Sequence, residues 1–155
     1  MSKINLAIDR AVLDKNIQKA RENNVIIPTL RQMQDPETIP APIQEKLKGV
    51  GLWDVNPLNL FRITWKNEAK ESGGLFQAVP NYVEIPSKLS GVPCRIIATA
   101  GKWFPTGCHK VGASFGCLAP RLVTGQFDAT WHKAVWPSTG NYCRGGAFNS
   151  KLLAC

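Results

Sequence analysis

Several features that would assign this 155-residue sequence to a special class of protein are missing from it. No uninterrupted apolar run approaches about 18 residues, so we expect no membrane-spanning helix and no membrane partner. The N-terminus, Met1 to Asn5, leads into a charged segment and not into the apolar core of a secretion signal. Low-complexity tracts are absent and 44% of the residues are hydrophobic, as is typical of folded domains. These features predict a folded cytoplasmic protein with the length of one domain.

The five cysteines do not follow the patterns that disulfide frameworks or zinc sites require. Their number is odd and none belongs to a Cys-x-x-Cys pair, so reduced thiols are expected. Cys108 and His109 are the one adjacent Cys/His pair, and a zinc site needs more ligands at close spacing. The sequence therefore predicts no bound metal.

Acidic residues are scarcer than basic ones, with 11 Asp and Glu against 19 Lys and Arg and a formal net charge of +8. Such an excess suits a nucleic-acid-binding protein. The basic residues are scattered, however, and no DNA- or RNA-binding signature accompanies them. Nucleic-acid binding is therefore a minor alternative, which steeply salt-dependent binding to polyanions would support.

The first 50 residues predict a helical, proline-rich N-terminal extension. Apolar residues recur at helical spacing among charged ones from Ile4 to Asn23, which predicts an amphipathic helix. Four prolines break up residues 25–42, and the last of them, Pro42, is well placed to begin a short helix that Gly49 stops. Because residues 25–42 also carry apolar side chains, a strap across a surface is favoured over a linker.

Residues 51–155 predict an α/β domain. Apolar and β-branched patterns predict strands at 51–65, 76–85, 92–100 and 131–136, with helices beginning near Lys110 and Tyr142. This order suits parallel βαβ units with right-handed crossovers. Pro120 should kink or end the first helix, and the Gly145-Gly146 pair weakens the second unless it allows a close backbone approach.

Lys110 lies where a predicted strand and a Pro/Gly turn lead into a helix. The apolar positions of that helix fall at helical spacing: Val111, Phe115, Leu118 and Leu122. Ligands of α/β sheets bind at such junctions. There, a lysine partly removed from water would lose some preference for its charged form and could attack a carbonyl carbon as a neutral amine. The alternative is a solvated lysine on a helix face.

A second junction follows the predicted strand Trp131–Trp136. Ser138, Thr139, Gly140 and Asn141 lie between this strand and the last helix. Such a turn exposes backbone N–H groups and the positive end of a helix dipole, which bind carboxylates or phosphates. The alternative is an ordinary helix cap at Ser138, Thr139 or Asn141.

Together the two junctions resemble the fold-type II pyridoxal-phosphate (PLP) enzymes, which include cysteine synthases, threonine synthases and tryptophan synthase β subunits. The run Pro105–Lys110 is similar to their Schiff-base lysine motif, and His-Lys is the form seen in tryptophan synthase β. Residues 138–141 are similar to their Ser/Thr-Ser/Thr-Gly-Asn loop, and the separation of 31 residues between Lys110 and Asn141 suits the family. The resemblance covers roughly residues 80–155. It implies part of a three-layer parallel-sheet fold of the fold-type II kind.

The resemblance implies a PLP-dependent lyase or β-replacement enzyme of amino-acid metabolism that acts on a small amino acid. Lys110 would form the Schiff base with PLP and move the proton at the substrate α-carbon. His109 would lie near the cofactor phosphate, and Asn141 would hydrogen-bond the 3′-oxygen of the pyridine ring. The substrate carboxylate would be bound by Ser138, Thr139, Gly140 and Asn141.

The sequence departs from the family in two places. It has no counterpart of the glycine-rich phosphate-binding loop or of the residue that contacts the pyridine nitrogen. Both come from later parts of the family's chain, so we expect residues 51–155 to be the N-terminal part of a catalytic domain. The remainder would follow Cys155 or form a second chain, and a homodimer is an arrangement that the resemblance allows. The alternative is a non-catalytic subunit or remnant that binds a partner chain.

Overall fold

The computed structural model describes residues 7–155. Within that range the chain forms six α-helices, two β-strands and short 3₁₀ turns. The helices are α1 (Arg10–Glu22), α2 (Leu30–Gln34), α3 (Ala41–Leu47), α4 (Ser87–Ser90), α5 (Lys110–Val123) and α6 (Asn141–Leu152), and the strands are β1 (Tyr82–Ile85) and β2 (Ile96–Thr99). Every helix in this range falls short of the length and apolar character that crossing a bilayer requires.

Four helices lie where the sequence predicts them, because local signals set their starts. Asp9 caps α1 by accepting a hydrogen bond from the Val12 N–H at 3.1 Å, and α3 carries Pro42 in its first turn. Helix α5 begins at Lys110 and ends at Val123, so Pro120 lies inside the helix and does not end it. Helix α6 begins at Asn141, one residue before the predicted start. The predicted beginning of α1 at Ile4 lies outside the described residues.

Two of the predicted strands are wrong. Within 51–65 the chain forms a 3₁₀ helix, Pro57–Arg62, because the buried Arg62 guanidinium donates hydrogen bonds to the carbonyl oxygens of Leu47 (2.9 Å) and Gly74 (2.7 Å). These bonds hold the segment as a compact turn in place of an extended ladder. The segment Trp131–Trp136 is not helical, and it pairs with no strand of the described chain.

The sheet is smaller than predicted and has the opposite strand direction. The strands β1 and β2 pair antiparallel, from Tyr82 opposite Thr99 to Ile85 opposite Ile96. Ten residues join the two strands, which is too short for the crossover that a parallel pair requires. The prediction of a chain with both helices and strands is confirmed, but residues 7–155 do not form a three-layer parallel sheet.

The main core lies along one face of α5. All four apolar positions noted at helical spacing, Val111, Phe115, Leu118 and Leu122, are buried. Helix α6 adds Leu152 to this core, and Leu60 and Phe104 pack there from earlier segments. Helix α1 also contacts α5, since the Asn16 side chain donates a hydrogen bond to the Leu122 carbonyl oxygen at 3.0 Å. The division of the chain at residue 50 stays a prediction.

Candidate functional site

Helices α5 and α6 touch through a glycine. A Cβ atom placed on the buried Gly145 would lie only 2.8 Å from the Cα and N atoms of Val111 and 3.0 Å from the carbonyl carbon of Lys110. Any side chain at this position would therefore push the helices apart. Of the two possibilities for the Gly145-Gly146 pair, Gly145 shows the close backbone approach, and the helix forms through both glycines.

A buried asparagine fastens the same contact. The Nδ2 atom of Asn149 donates hydrogen bonds to the Val111 carbonyl oxygen at 2.7 Å and to Ser114 Oγ at 2.8 Å. Asn149 has no exposed surface, so these bonds lie away from competing water. Together, Gly145 and Asn149 fix α6 against the first turn of α5.

This contact makes the two predicted motifs neighbours. Lys110 is the first residue of α5 and Asn141 is the first residue of α6. Asn141 precedes Gly145 by four residues, about 6 Å along the helix axis, and Gly145 touches the Lys110 backbone. Both residues are exposed at the surface. The structure therefore packs the first residues of α5 against Gly145, one turn after the start of α6.

The turn before Lys110 holds an unusual backbone. Thr106 has φ of 64° and Gly107 has φ of 69°, so two consecutive residues adopt the left-handed conformation. For a β-branched threonine this is a genuine outlier, which costs on the order of 1–3 kcal/mol. Thr106 is buried, its N–H donates to the Leu52 carbonyl oxygen at 3.3 Å, and its hydroxyl has no partner in the described chain. The packing around Thr106 therefore holds the backbone in a strained conformation directly before α5.

His109 occupies the N-cap position of α5 but does not cap the helix with its side chain. Its ring stacks on Trp65 with centroids 5.5 Å apart and planes at 24°. Gly101 lies against its backbone, because a Cβ atom there would be 3.1 Å from the His109 nitrogen. The imidazole is therefore oriented by an aromatic partner. The N–H groups of Val111 and Gly112 donate instead to the backbone carbonyl oxygens of Cys108 (3.3 Å) and His109 (2.9 Å).

The loop before α6 is exposed from Ser138 to Asn141. Gly140 is the N-cap residue and offers no side chain, while Ser138 Oγ accepts a hydrogen bond from the Gly140 N–H at 3.2 Å. An ordinary side-chain cap at Ser138, Thr139 or Asn141, the alternative explanation of this loop, is therefore wrong. The N–H groups of the first turn of α6 stay open to an anion.

Sequence reasoning missed Trp136 as a support of this loop. Its indole ring lies directly over Gly146, where a side chain would collide with the ring, and its Nε1–H donates to Ser150 Oγ at 3.0 Å. Tyr142 packs edge-on against the same ring, with centroids 5.5 Å apart. The sequence feature that could have indicated this contact is Gly146, because a residue without a side chain leaves room for an aromatic ring on α6.

Trp53 and Arg144 were also missed. The Trp53 ring is 3.7 Å from the position of a Cβ on Gly107, and the Arg144 guanidinium lies over that ring at 5.7 Å from its centroid. This contact joins the turn before α5 to the first turn of α6. No local pattern in the sequence signals it, because the partners are far apart along the chain.

The phenol of Tyr142 borders the site in its neutral form. Its hydroxyl donates a hydrogen bond to Cys117 Sγ at 3.3 Å, and this bond, together with desolvation, raises the pKa of Tyr142 above its ordinary value. The Tyr142 side chain is therefore uncharged near neutral pH and adds no negative charge beside the loop.

Within residues 7–155, no three His, Cys, Asp or Glu side chains come together as a metal ion would require. The arrangement instead offers a primary amine, an imidazole, two hydroxyls and the uncapped start of α6. Comparisons with protein-family models, with curated proteins and with solved structures find no match for this chain.

Proposed function

We propose that this chain is part of a cytoplasmic PLP-dependent lyase or β-replacement enzyme that acts on a small amino acid. The observation that carries the proposal is the contact of Gly145 with the backbone of Lys110 and Val111. It brings the start of α5, with its lysine, next to the start of α6, with its Ser-Thr-Gly-Asn loop. This placement would let the lysine and the loop, which are separated by 31 residues in the sequence, act on one ligand.

The residues at this site fit the groups that PLP and an amino acid present. Both ligands carry anionic groups, and α6 begins without a side-chain cap, so its first N–H groups are open to an anion. The Lys110 amine is exposed, so an aldehyde can reach it. Asn141 supplies an amide at the first position of α6, and His109 supplies an imidazole held by Trp65.

When bound, PLP supplies an electron sink for the electrons released at the substrate α-carbon. Lys110 would hold the cofactor covalently through its amine and move the α-proton. His109 would face the cofactor phosphate, and Asn141 would donate to the oxygen on the ring. The hydroxyls of Ser138 and Thr139, with the backbone at Gly140 and Asn141, would bind and orient the substrate carboxylate.

The complete enzyme would include further protein, either as a continuation of this chain or as a second chain. Large apolar side chains are exposed on β1, on α4 and in the segment after α5, including Val83, Leu89, Trp131 and Val135. In the complete assembly, the further protein would cover these surfaces. A homodimer would cover the same surfaces.

The test is the capture of PLP by a single lysine. The chain, alone and in the longer polypeptide or complex from its native source, is mixed with PLP, reduced with borohydride and mapped by mass spectrometry. We expect an absorbance band near the visible edge and cofactor fixed to Lys110. Lys110→Ala should remove the band and the labelled peptide. Lys133→Ala, which changes another exposed lysine, should leave both intact.

Equal labelling of many lysines, or a band that survives Lys110→Ala in the complete assembly, would reject the proposal. Substrate screening among small amino acids follows only if the band depends on Lys110.

A second candidate is a non-catalytic subunit that binds a partner chain. The exposed apolar residues favour it, because Leu89 and Val135 are each about 80% exposed. On this hypothesis a complex with the partner forms but shows no lysine-dependent absorbance. Pull-down of the chain from its native source, followed by the PLP spectrum of the complex, separates the two candidates.

A further inference from the structure

A cavity of about 910 Å³ opens on the side of α5 that faces residues 27–34. It lies between that N-terminal segment, residues 63–66 and the helix. Its volume falls in the range of about 300–1,000 Å³ that is usual for small-molecule sites. Lys110 does not line it, so it is a different space from the site proposed above, although His109 borders both.

Small residues of α5 line one side of the cavity. Gly112, Ala113, Gly116 and Ala119 all face it, so the helix backbone forms one wall. A Cβ atom on Gly116 would meet nothing within 4 Å. The opposite wall carries Leu30 and Met33, which leaves an apolar slot between the two.

Aromatic rings close one end of the slot. Trp65 packs edge-on against Phe104, with centroids 5.0 Å apart, and its face stacks on His109. These contacts fix the orientation of the indole, so the part of its surface that His109 leaves uncovered can contact another flat ring. Phe115 adds a further aromatic wall.

The cavity also has one sign of charge. Lys66 lines it, and none of its lining residues is an aspartate or a glutamate. The Lys66 amine is 3.9 Å from the Asp35 carboxylate, which is too long for a direct hydrogen bond. The amine makes no hydrogen bond within residues 7–155, so its donors are available to an anion that enters the slot and competes with this long ion pair.

We propose that this cavity binds a small, flat aromatic molecule with one anionic group. The rings would lie among Trp65, Phe104 and Phe115, and the anion would meet the Lys66 amine. The charge of the lining selects an anion over a cation or a neutral molecule. The proposal does not depend on the PLP proposal, because it uses neither Lys110 nor the 138–141 loop.

The test uses 1-anilinonaphthalene-8-sulfonate, an aromatic anion, and N-phenyl-1-naphthylamine, its uncharged analogue, with the 155-residue chain. Gly116→Leu fills the slot from a position with open space, so it should abolish the fluorescence gain of both probes while the thermal midpoint is kept or raised. Cys117→Leu adds a similar side chain at the next, exposed position, outside the cavity lining. This control should leave binding unchanged.

Lys66→Gln should weaken the affinity for the sulfonate probe about tenfold and leave the affinity for the uncharged probe unchanged. Saturation at one probe per chain, together with these three results, supports the proposal. Binding that survives Gly116→Leu, or that Cys117→Leu removes equally, overturns it. Sedimentation provides a further check. A dimer that Gly116→Leu converts to monomer would show that a second copy fills the slot, which also overturns the proposal.

Discussion

The α5–α6 pair and the β1–β2 hairpin differ in what holds them. The helices share a buried glycine contact, two buried hydrogen bonds from Asn149 and one continuous apolar core. The strands have eight ladder residues, of which only Ile85 and Ile96 are partly buried and none is fully buried. An isolated hairpin of this kind is marginally stable at best. The comparison teaches that the proposed Lys110–Asn141 site rests on the part of the molecule that is well packed.

The largest expected effect comes from Gly145→Ala. The added methyl group would meet the Val111 backbone at 2.8 Å, and backbone cannot rotate away as a side chain can. We expect a loss of about 2–3 kcal/mol of unfolding free energy, in the range of overpacked cores. Urea unfolding measures it.

The control is Gly116→Ala, the same change in the other helix of the pair. Its Cβ meets open space, so better helix propensity should raise stability by up to about 1 kcal/mol. Equal effects of the two substitutions would show that the helices do not touch through Gly145.

Asn149→Ala should have the next largest effect. It removes two buried hydrogen bonds and leaves the Val111 carbonyl oxygen without that donor. We expect a loss of about 1–2 kcal/mol by urea unfolding. Asn141→Ala, an exposed amide on the same helix, should change stability little but weaken PLP capture if the proposed function holds. An Asn149→Ala protein as stable as the wild type would show that Asn149 does not hold α6 against α5.

Alkaline pH should loosen the same core through Cys155. Burial raises the pKa of this thiol to about 11. The unfolded thiol ionises at lower pH, so its contribution is complete below pH about 8.5 and is lost as pH rises through about 11. Because the thiol is partly exposed, we expect on the order of 1 kcal/mol. The difference between wild type and Cys155→Ala in unfolding free energy at pH 8 and pH 10.5 isolates this effect, and parallel curves would exclude it.

Removing the Glu84–Arg95 ion pair of the hairpin should have the smallest effect on global stability. Arg95 donates two hydrogen bonds of 2.8 Å to the Glu84 carboxylate, and these bonds lower the pKa of Glu84. The pair is exposed to solvent, so Glu84→Gln should leave the global unfolding midpoint unchanged. Hydrogen exchange of the β1 and β2 amides should report the local change. A clear fall in the global midpoint would mean that the hairpin is as tightly coupled to the fold as the helix pair.

The sequence by itself determined the helices whose starts carry local signals. Asp9, Pro42 and the periodic apolar positions of α5 act within a few residues of themselves, so their effect can be read without the rest of the chain. The sequence also marked Lys110 and residues 138–141 as helix starts. The glycine pair of α6 indicated a close backbone approach as one of two possibilities, but the sequence did not show which residues it would contact.

Tertiary structure alone decided which segments became strands and which parts of the chain met. Arg62 turned a predicted strand into a 3₁₀ helix through carbonyl groups 12 to 15 residues away, and a ten-residue connection made the sheet antiparallel. Likewise, Gly145 on Val111 and Trp136 on Gly146 are pairings that only the folded chain defines. The physical reason is that strand pairing, burial and close backbone contact depend on groups distant in sequence, whereas helix caps and periodicity are local.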